Sequence, residues 1–84
     1  MKATAGRRMI LEAMAKPFAY ARPDLSVVGL PPQVYRMKPD MQAMFIQNGL
    51  IKESKPPKQE KKLGYIFVIT EKGRKWLNSE NVTP

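Results

Sequence analysis

The stretch GLIKESKPPKQEKKLGYIFVITEKGRKWL, residues 49–77, holds two apolar runs on either side of a crowded lysine segment and leads directly into a helical pattern. LIKES is short, and LGYIFVIT is longer and rich in β-branched and aromatic residues, so both read as strands. The eight residues KPPKQEKK between them are too many for a two-residue turn and predict an extended hairpin loop. Thr70 stands where a helix N-cap belongs, and EKGRKWLNSE after it predicts a short closing helix with Trp76 and Leu77 facing inward. The lysine loop has two readings: a solvated hairpin tip, or a finger laid along a polyanion.

Upstream, LPPQVYRMKPDMQAMFIQNG predicts a short helix over residues 32–36, a turn, and a second helix over residues 39–48. Proline at a first helical position sacrifices no hydrogen bond, whereas Pro39 inside one continuous helix would delete a bond and clash with the preceding turn. An alternative register makes residues 32–48 a single helix kinked at Pro39, with the turn at Gly29-Leu30-Pro31. Asp40 complements the dipole in the first turn, and Asn48-Gly49 supply the stop. Met37, Met41, Met44, Phe45 and Asn48 then fall on the inward face, and Gln42, Ala43, Ile46 and Gln47 on the outward one.

The chain opens with Thr4 as the cap of a first helix ending near Ala15, before Lys16-Pro17. Its apolar residues Met9, Ile10, Ala13 and Met14 recur at the spacing of one buried stripe. PFAYARPDLSVVG is punctuated by prolines and predicts a loop with a short strand, pinned to the core by Phe18, Tyr20 and Leu25. The basic opening and the Ala-Tyr-Ala run imitate an export signal, but Glu12 and Lys16 interrupt the apolar segment, so a cytoplasmic protein is expected. One domain over residues 1–80, with a frayed tail over 81–84, accounts for the chain.

At 84 residues there is room for one modest core, and no cysteine is present to reinforce it. Fifteen Lys+Arg against seven Asp+Glu give a net charge of +8, so a phosphate-bearing partner is the default expectation. With no histidine and no cysteine, the common general base, thiol nucleophile and zinc ligands are missing. No glycine-rich phosphate loop occurs either. An enzyme, a metal site, a cofactor and a small-molecule substrate are therefore not expected.

The order helix, helix, helix, strand, loop, strand, helix resembles the winged helix-turn-helix DNA-binding domains of small bacterial transcription regulators. Gly49-Leu50-Ile51 leaving the third helix and Ile69-Thr70-Glu71-Lys72-Gly73 closing the hairpin carry the resemblance. It implies an α+β fold with a three-helix bundle, a two-stranded β-hairpin wing and a short C-terminal helix. It also implies double-stranded DNA as partner, with residues 39–48 in the major groove and residues 52–62 on the backbone. In that reading Gln42 and Gln47 point at base edges, where an amide matches adenine. Arg36 and Lys38 stand at the helix entrance, and Lys52, Lys55, Lys58, Lys61 and Lys62 neutralise phosphates. Glu53 and Glu60 oppose them locally, Pro56-Pro57 stiffen the loop, and Arg74 and Lys75 read as solvated surface.

A second class of function competes. Alternation along YIFVIT puts Tyr65, Phe67 and Ile69 on one face and Ile66 and Val68 on the other. With Ile46 outward on its helix, an apolar patch is expected for a homodimer or another protein partner, unless the loop over residues 18–29 covers it. An RNA-binding use ranks third, since few exposed aromatics are expected for stacking.

Overall fold

The computed structural model describes residues 4–31 and 35–82. It is an α+β domain with one two-stranded antiparallel sheet. In chain order the elements are helix α1 (Ala5–Met14), α2 (Pro39–Gln47), strand β1 (Ile51–Ser54), a 3-10 helix (Lys58–Leu63), strand β2 (Ile66–Ile69) and α3 (Glu71–Val82). No helix among the described residues is long and apolar enough to cross a membrane.

The first helix begins as its sequence dictates. Thr4 is extended, and its hydroxyl oxygen accepts a hydrogen bond from the Arg7 N–H at 3.2 Å, satisfying one of the orphan donors of the first turn. Ile10, Ala13 and Met14 of the expected stripe are buried, but Met9 is only half-buried and Leu11 joins the core face in its place. Helix α1 packs on α3 and β2, and α2 packs on β1. At the far end, Arg74 of α3 donates to the Ala15 carbonyl at 3.0 Å, placing a cation at the negative end of the α1 dipole. Arg74 is thus a helix-terminating residue rather than the idle surface charge its position suggests.

Helix α2 starts at Pro39 and ends in a Schellman arrangement. Gly49 has φ +72°, its N–H donates to the Ile46 carbonyl at 3.0 Å, and the Leu50 N–H donates to the Phe45 carbonyl at 2.9 Å. The chain leaves this turn directly into β1. Ile51 pairs with Ile69, Lys52 with Val68, Glu53 with Phe67 and Ser54 with Ile66. Thr70 then joins the two ends of the hairpin to the helices. Its N–H donates to the Leu50 carbonyl at 2.9 Å, its hydroxyl donates to the Gly49 carbonyl at 2.6 Å, and the same oxygen accepts from the Gly73 N–H at 3.0 Å.

The core comprises Leu11, Met14, Ala21, Val27, Met37, Phe45, Leu50, Ile51, Phe67 and Leu77, with Trp76 packed against its margin. Several expectations are corrected. The segment over residues 18–29, expected as a loop with a short strand, makes a tight hairpin in which Ala21 bridges both Val27 and Phe67. Ala21 exchanges two hydrogen bonds of 2.9 Å with Phe67, so the expected short strand is a single residue laid on the second edge of β2. Phe18 does not pin this segment. It occupies a left-handed position (φ +63°) in the turn over residues 16–19, and its ring is 96% exposed. Ala21 and Val27 are the buried anchors instead, while Tyr20 and Leu25 are half-buried.

Of the short helix expected over residues 32–36, positions 32–34 lie outside the described residues, and Tyr35 and Arg36 are non-helical. Met37 holds this stretch to the core; it is buried, and its N–H donates to the Leu25 carbonyl at 3.0 Å. The domain therefore has three α-helices and one 3-10 helix among the described residues, not a three-helix bundle with a short fourth. The closing helix, expected to be short and to fray from Asn81, is the longest of them and runs through Val82. Strand β2 is shorter than LGYIFVIT suggests, because Gly64 (φ +79°) turns the chain immediately before it.

Gly73 offers the sharpest test of this packing. A Cβ there would lie 2.4 Å from the Leu50 carbonyl oxygen and 2.7 Å from Ile69 Cγ1. Helix propensity alone favours Gly73→Ala by about 1 kcal/mol. The clash reverses the sign, and a urea melt should show Gly73→Ala destabilised by about 1–3 kcal/mol.

Candidate nucleic-acid interface

The lysine segment is the long hairpin loop its sequence predicts, and it contains helical turns that the sequence reading lacked. After Pro56-Pro57 it coils into two short 3-10 turns kinked at Glu60, whose φ of −131° and ψ of 35° leave the helical region. The kink turns the Glu60 side chain toward the segment that lies on β2. Glu60 Oε2 accepts from the Tyr20 hydroxyl, and Oε1 accepts from Arg22 Nε at 2.8 Å in a salt bridge. The Arg22 guanidinium also lies over the Tyr20 ring, 5.7 Å from its centroid. Tyr20 and Arg22 flank Ala21, so one extended residue pair points both side chains at the same carboxylate.

The network continues inward. Arg22 Nη1 lies 3.4 Å from the Ser26 hydroxyl, and Ser26 is buried. Asp24 Oδ1 accepts from the Ser26 hydroxyl at 2.6 Å and from its N–H at 2.9 Å. These two bonds hold the Asp24 carboxyl below its ordinary value, with smaller help from the Arg36 and Arg22 charges. This turn places Leu25 at φ +70° and lets its N–H reach the Arg22 carbonyl at 2.8 Å.

With Glu60 paired to Tyr20 and Arg22, the lysines are left outside. Lys52, Lys55, Lys58, Lys61 and Lys62 are all exposed. Lys58, Lys61 and Lys62, with Gln59, Glu60 and Leu63, line an open groove of about 420 Å³. Strand alternation puts Lys52 and Glu53 on opposite faces of β1, so Glu53 does not neutralise its neighbour's side.

The other expected contacts lie elsewhere. Arg36 and Lys38 are exposed before α2 and border a separate concavity of about 270 Å³ floored by Met9, Ile10 and Met41. On α2 itself Ala43, Ile46 and Gln47 are exposed, whereas Gln42 is half-buried. The helix carries no cation, and exposed Asp40 is its one ionised group; its carboxylate accepts from the Met41 N–H at 2.9 Å. Arg36 and Lys38 are therefore not part of the loop groove, and α2 offers amide and apolar contacts rather than charge.

The apolar patch expected from Ile46, Ile66 and Val68 does not form as one surface. Ile66 is only 5% exposed and Val68 is half-buried, because residues 18–20 and the returning loop lie over that face of the hairpin. What remains there is a cleft of about 290 Å³ between Phe18, Pro57, Ile66 and Val68. Ile46 stands apart on α2.

Among the described residues no group of acidic residues could hold a metal ion. The residues that sequence reasoning undervalued are Tyr20, Arg22 and Glu60. The one available signal was the i, i+2 spacing of Tyr20 and Arg22 in a strand-like segment, opposite a hairpin with a single internal carboxylate. No known protein family matches the chain, and neither curated proteins nor solved structures provide a match.

Asp24 gives a pH prediction with a fixed sign. Its carboxyl is lowered on folding, so its stabilising contribution is complete above its ordinary value of 3.8 and disappears as pH falls through the lowered folded value. Asp24→Asn should melt below the wild type at neutral pH, with the two melting temperatures converging as the pH falls below the ordinary carboxylate range.

Proposed function

We propose that the protein binds double-stranded DNA, with the lysine loop on the phosphate backbone and the exposed face of α2 against base edges. The observation that carries this reading is the sorting of charge in and beside the loop: five exposed lysines, four of them in the loop and Lys52 on β1, and Glu60 paired with Arg22. A loop that only solvated a hairpin tip has no need to pair its single carboxylate with Arg22 and Tyr20 while its lysines stay exposed. Lysine suits phosphate neutralisation, because a point charge on a flexible stem tolerates many geometries.

The domain fits a reduced winged-helix plan in this reading, with the hairpin as wing and α2 as reading helix. Three features support it: Ala21 on the free edge of β2, the Gly49-Leu50-Ile51 exit from α2, and the Thr70–Gly73 start of α3. The tight hairpin over residues 20–28 stands where that plan leads into its second helix. Gln47, Ala43 and Ile46 supply an amide and apolar contacts to the major groove, where thymine methyl groups and adenine edges lie. Arg36 and Lys38 flank the helix start as phosphate contacts. Regulation of transcription is the natural use of such a module.

A second reading rests on Phe18. A fully exposed aromatic ring beside the cleft formed by Pro57, Ile66 and Val68 has the composition of a protein-docking point. A homodimer or a protein partner held there leaves the loop lysines free.

Fluorescence anisotropy with a labelled duplex separates the readings. Affinity should fall linearly on a log–log plot against salt, and Lys58→Glu/Lys61→Glu/Lys62→Glu should weaken binding at least about tenfold and flatten the slope by about 3. Phe18→Ser should leave duplex affinity unchanged. Salt-independent binding, or a triple variant that binds like the wild type, sinks the DNA reading.

A further inference from the structure

We infer that Glu60 is a positioning residue that strengthens the loop's hold on duplex DNA, although its charge opposes that hold. The inference rests on the DNA-binding reading above. Glu60 is the only carboxylate among the eight loop residues, and a simple charge argument makes it a flaw. Its geometry says otherwise. Lys58, Lys61 and Lys62 repel one another, and the backbone bonds that close the 3-10 turns at their ends reach only adjoining loop residues: Glu60 N–H to the Pro57 carbonyl at 2.9 Å and Gly64 N–H to the Lys61 carbonyl at 3.3 Å. What fixes the loop is the grip of Tyr20 and Arg22 on both oxygens of Glu60.

That anchor is itself immobile. Ala21, between the two gripping residues, is fully buried and exchanges both backbone hydrogen bonds with Phe67 of β2. The loop is thereby tied to a neighbouring segment of the sheet, not merely to the ends of its own hairpin. The tie sits near the surface, with Arg22 and Glu60 side chains 33% and 22% exposed, so solvent screening keeps its contribution to global stability small. Its consequence is local. Conformational freedom that the lysines would otherwise lose on binding is already lost in the free protein, and affinity rises accordingly.

The decisive property is the sign of one substitution. Glu60→Ala adds one positive charge and releases the Arg22 guanidinium, so electrostatics alone makes it a tighter DNA binder. The positioning role makes it weaker, by about three- to tenfold, through the restored freedom of the loop. Tyr20→Phe keeps every charge and should weaken binding in the same direction by a smaller factor.

The test uses the full chain with a labelled duplex at several salt concentrations, together with amide exchange and 15N relaxation over residues 58–64 of the free protein. The expected result is weaker binding by both variants at an unchanged salt slope for Tyr20→Phe, faster amide exchange confined to the loop, and a melting temperature close to that of the wild type. Tighter binding by Glu60→Ala, or loop amides as protected as before in both variants, overturns the inference while leaving the DNA reading intact. A wild-type chain that ignores the duplex at low salt overturns both.

Discussion

The fold depends on a single junction, the Thr70 hydroxyl between the Gly49 carbonyl and the Gly73 N–H. One oxygen closes the C-terminal turn of α2, caps the start of α3 and sits at the base of the hairpin. A hydroxyl can do this because it donates and accepts at once. The geometry it imposes brings α3 so near the exit from α2 that Gly73 lies against the Leu50 carbonyl with no room for a side chain. The Gly-Leu-Ile and Ile-Thr-x-x-Gly patterns are therefore the two halves of one contact. Each glycine serves a different part of it: Gly49 a left-handed turn, Gly73 a close approach of backbones.

Charge is distributed in a way that divides labour across the surface. The net charge of +8 is not spread evenly. The outward face of α2 carries none of it, and the hairpin loop carries a large share. In the proposed DNA-binding reading, attraction and discrimination belong to different elements, as phosphate contacts that position and edge contacts that specify do. Asp40 at the start of α2 reinforces that division: it favours the helix through its dipole, and it keeps the reading helix from acting as another cationic patch.

Those parts of the structure determined by local chemistry were legible in the sequence. Thr4 and the apolar stripe define α1, Pro39 and Asn48-Gly49 bound α2, and the β-branched runs define the hairpin. The inward positions of Phe45, Met37, Trp76 and Leu77 follow from the same periodicity. What escaped depends on residues distant in the chain. Nothing near Glu60 reveals that Tyr20 and Arg22 will hold it, so the loop's length was legible and its helical turns were not. Phe18 and Leu25 adopt positive φ without being glycine, which local preference argues against. Ile66 is apolar on the face away from the helices, and only the path of residues 18–20 explains its burial. The exposed lysines could be named from sequence; the groove they share could not.

Because the junction at Thr70 is made from backbone atoms and one hydroxyl, it does not involve the outward side chains of α2. Ala43, Ile46 and Gln47 are exposed and lie outside the buried core that secures the helix. Substitutions at such sites cost little stability, typically within about 0.5 kcal/mol. The domain can therefore change the outward surface of α2 almost independently of its fold, so mutational tolerance and conformational constraint fall on opposite sides of the same nine-residue helix.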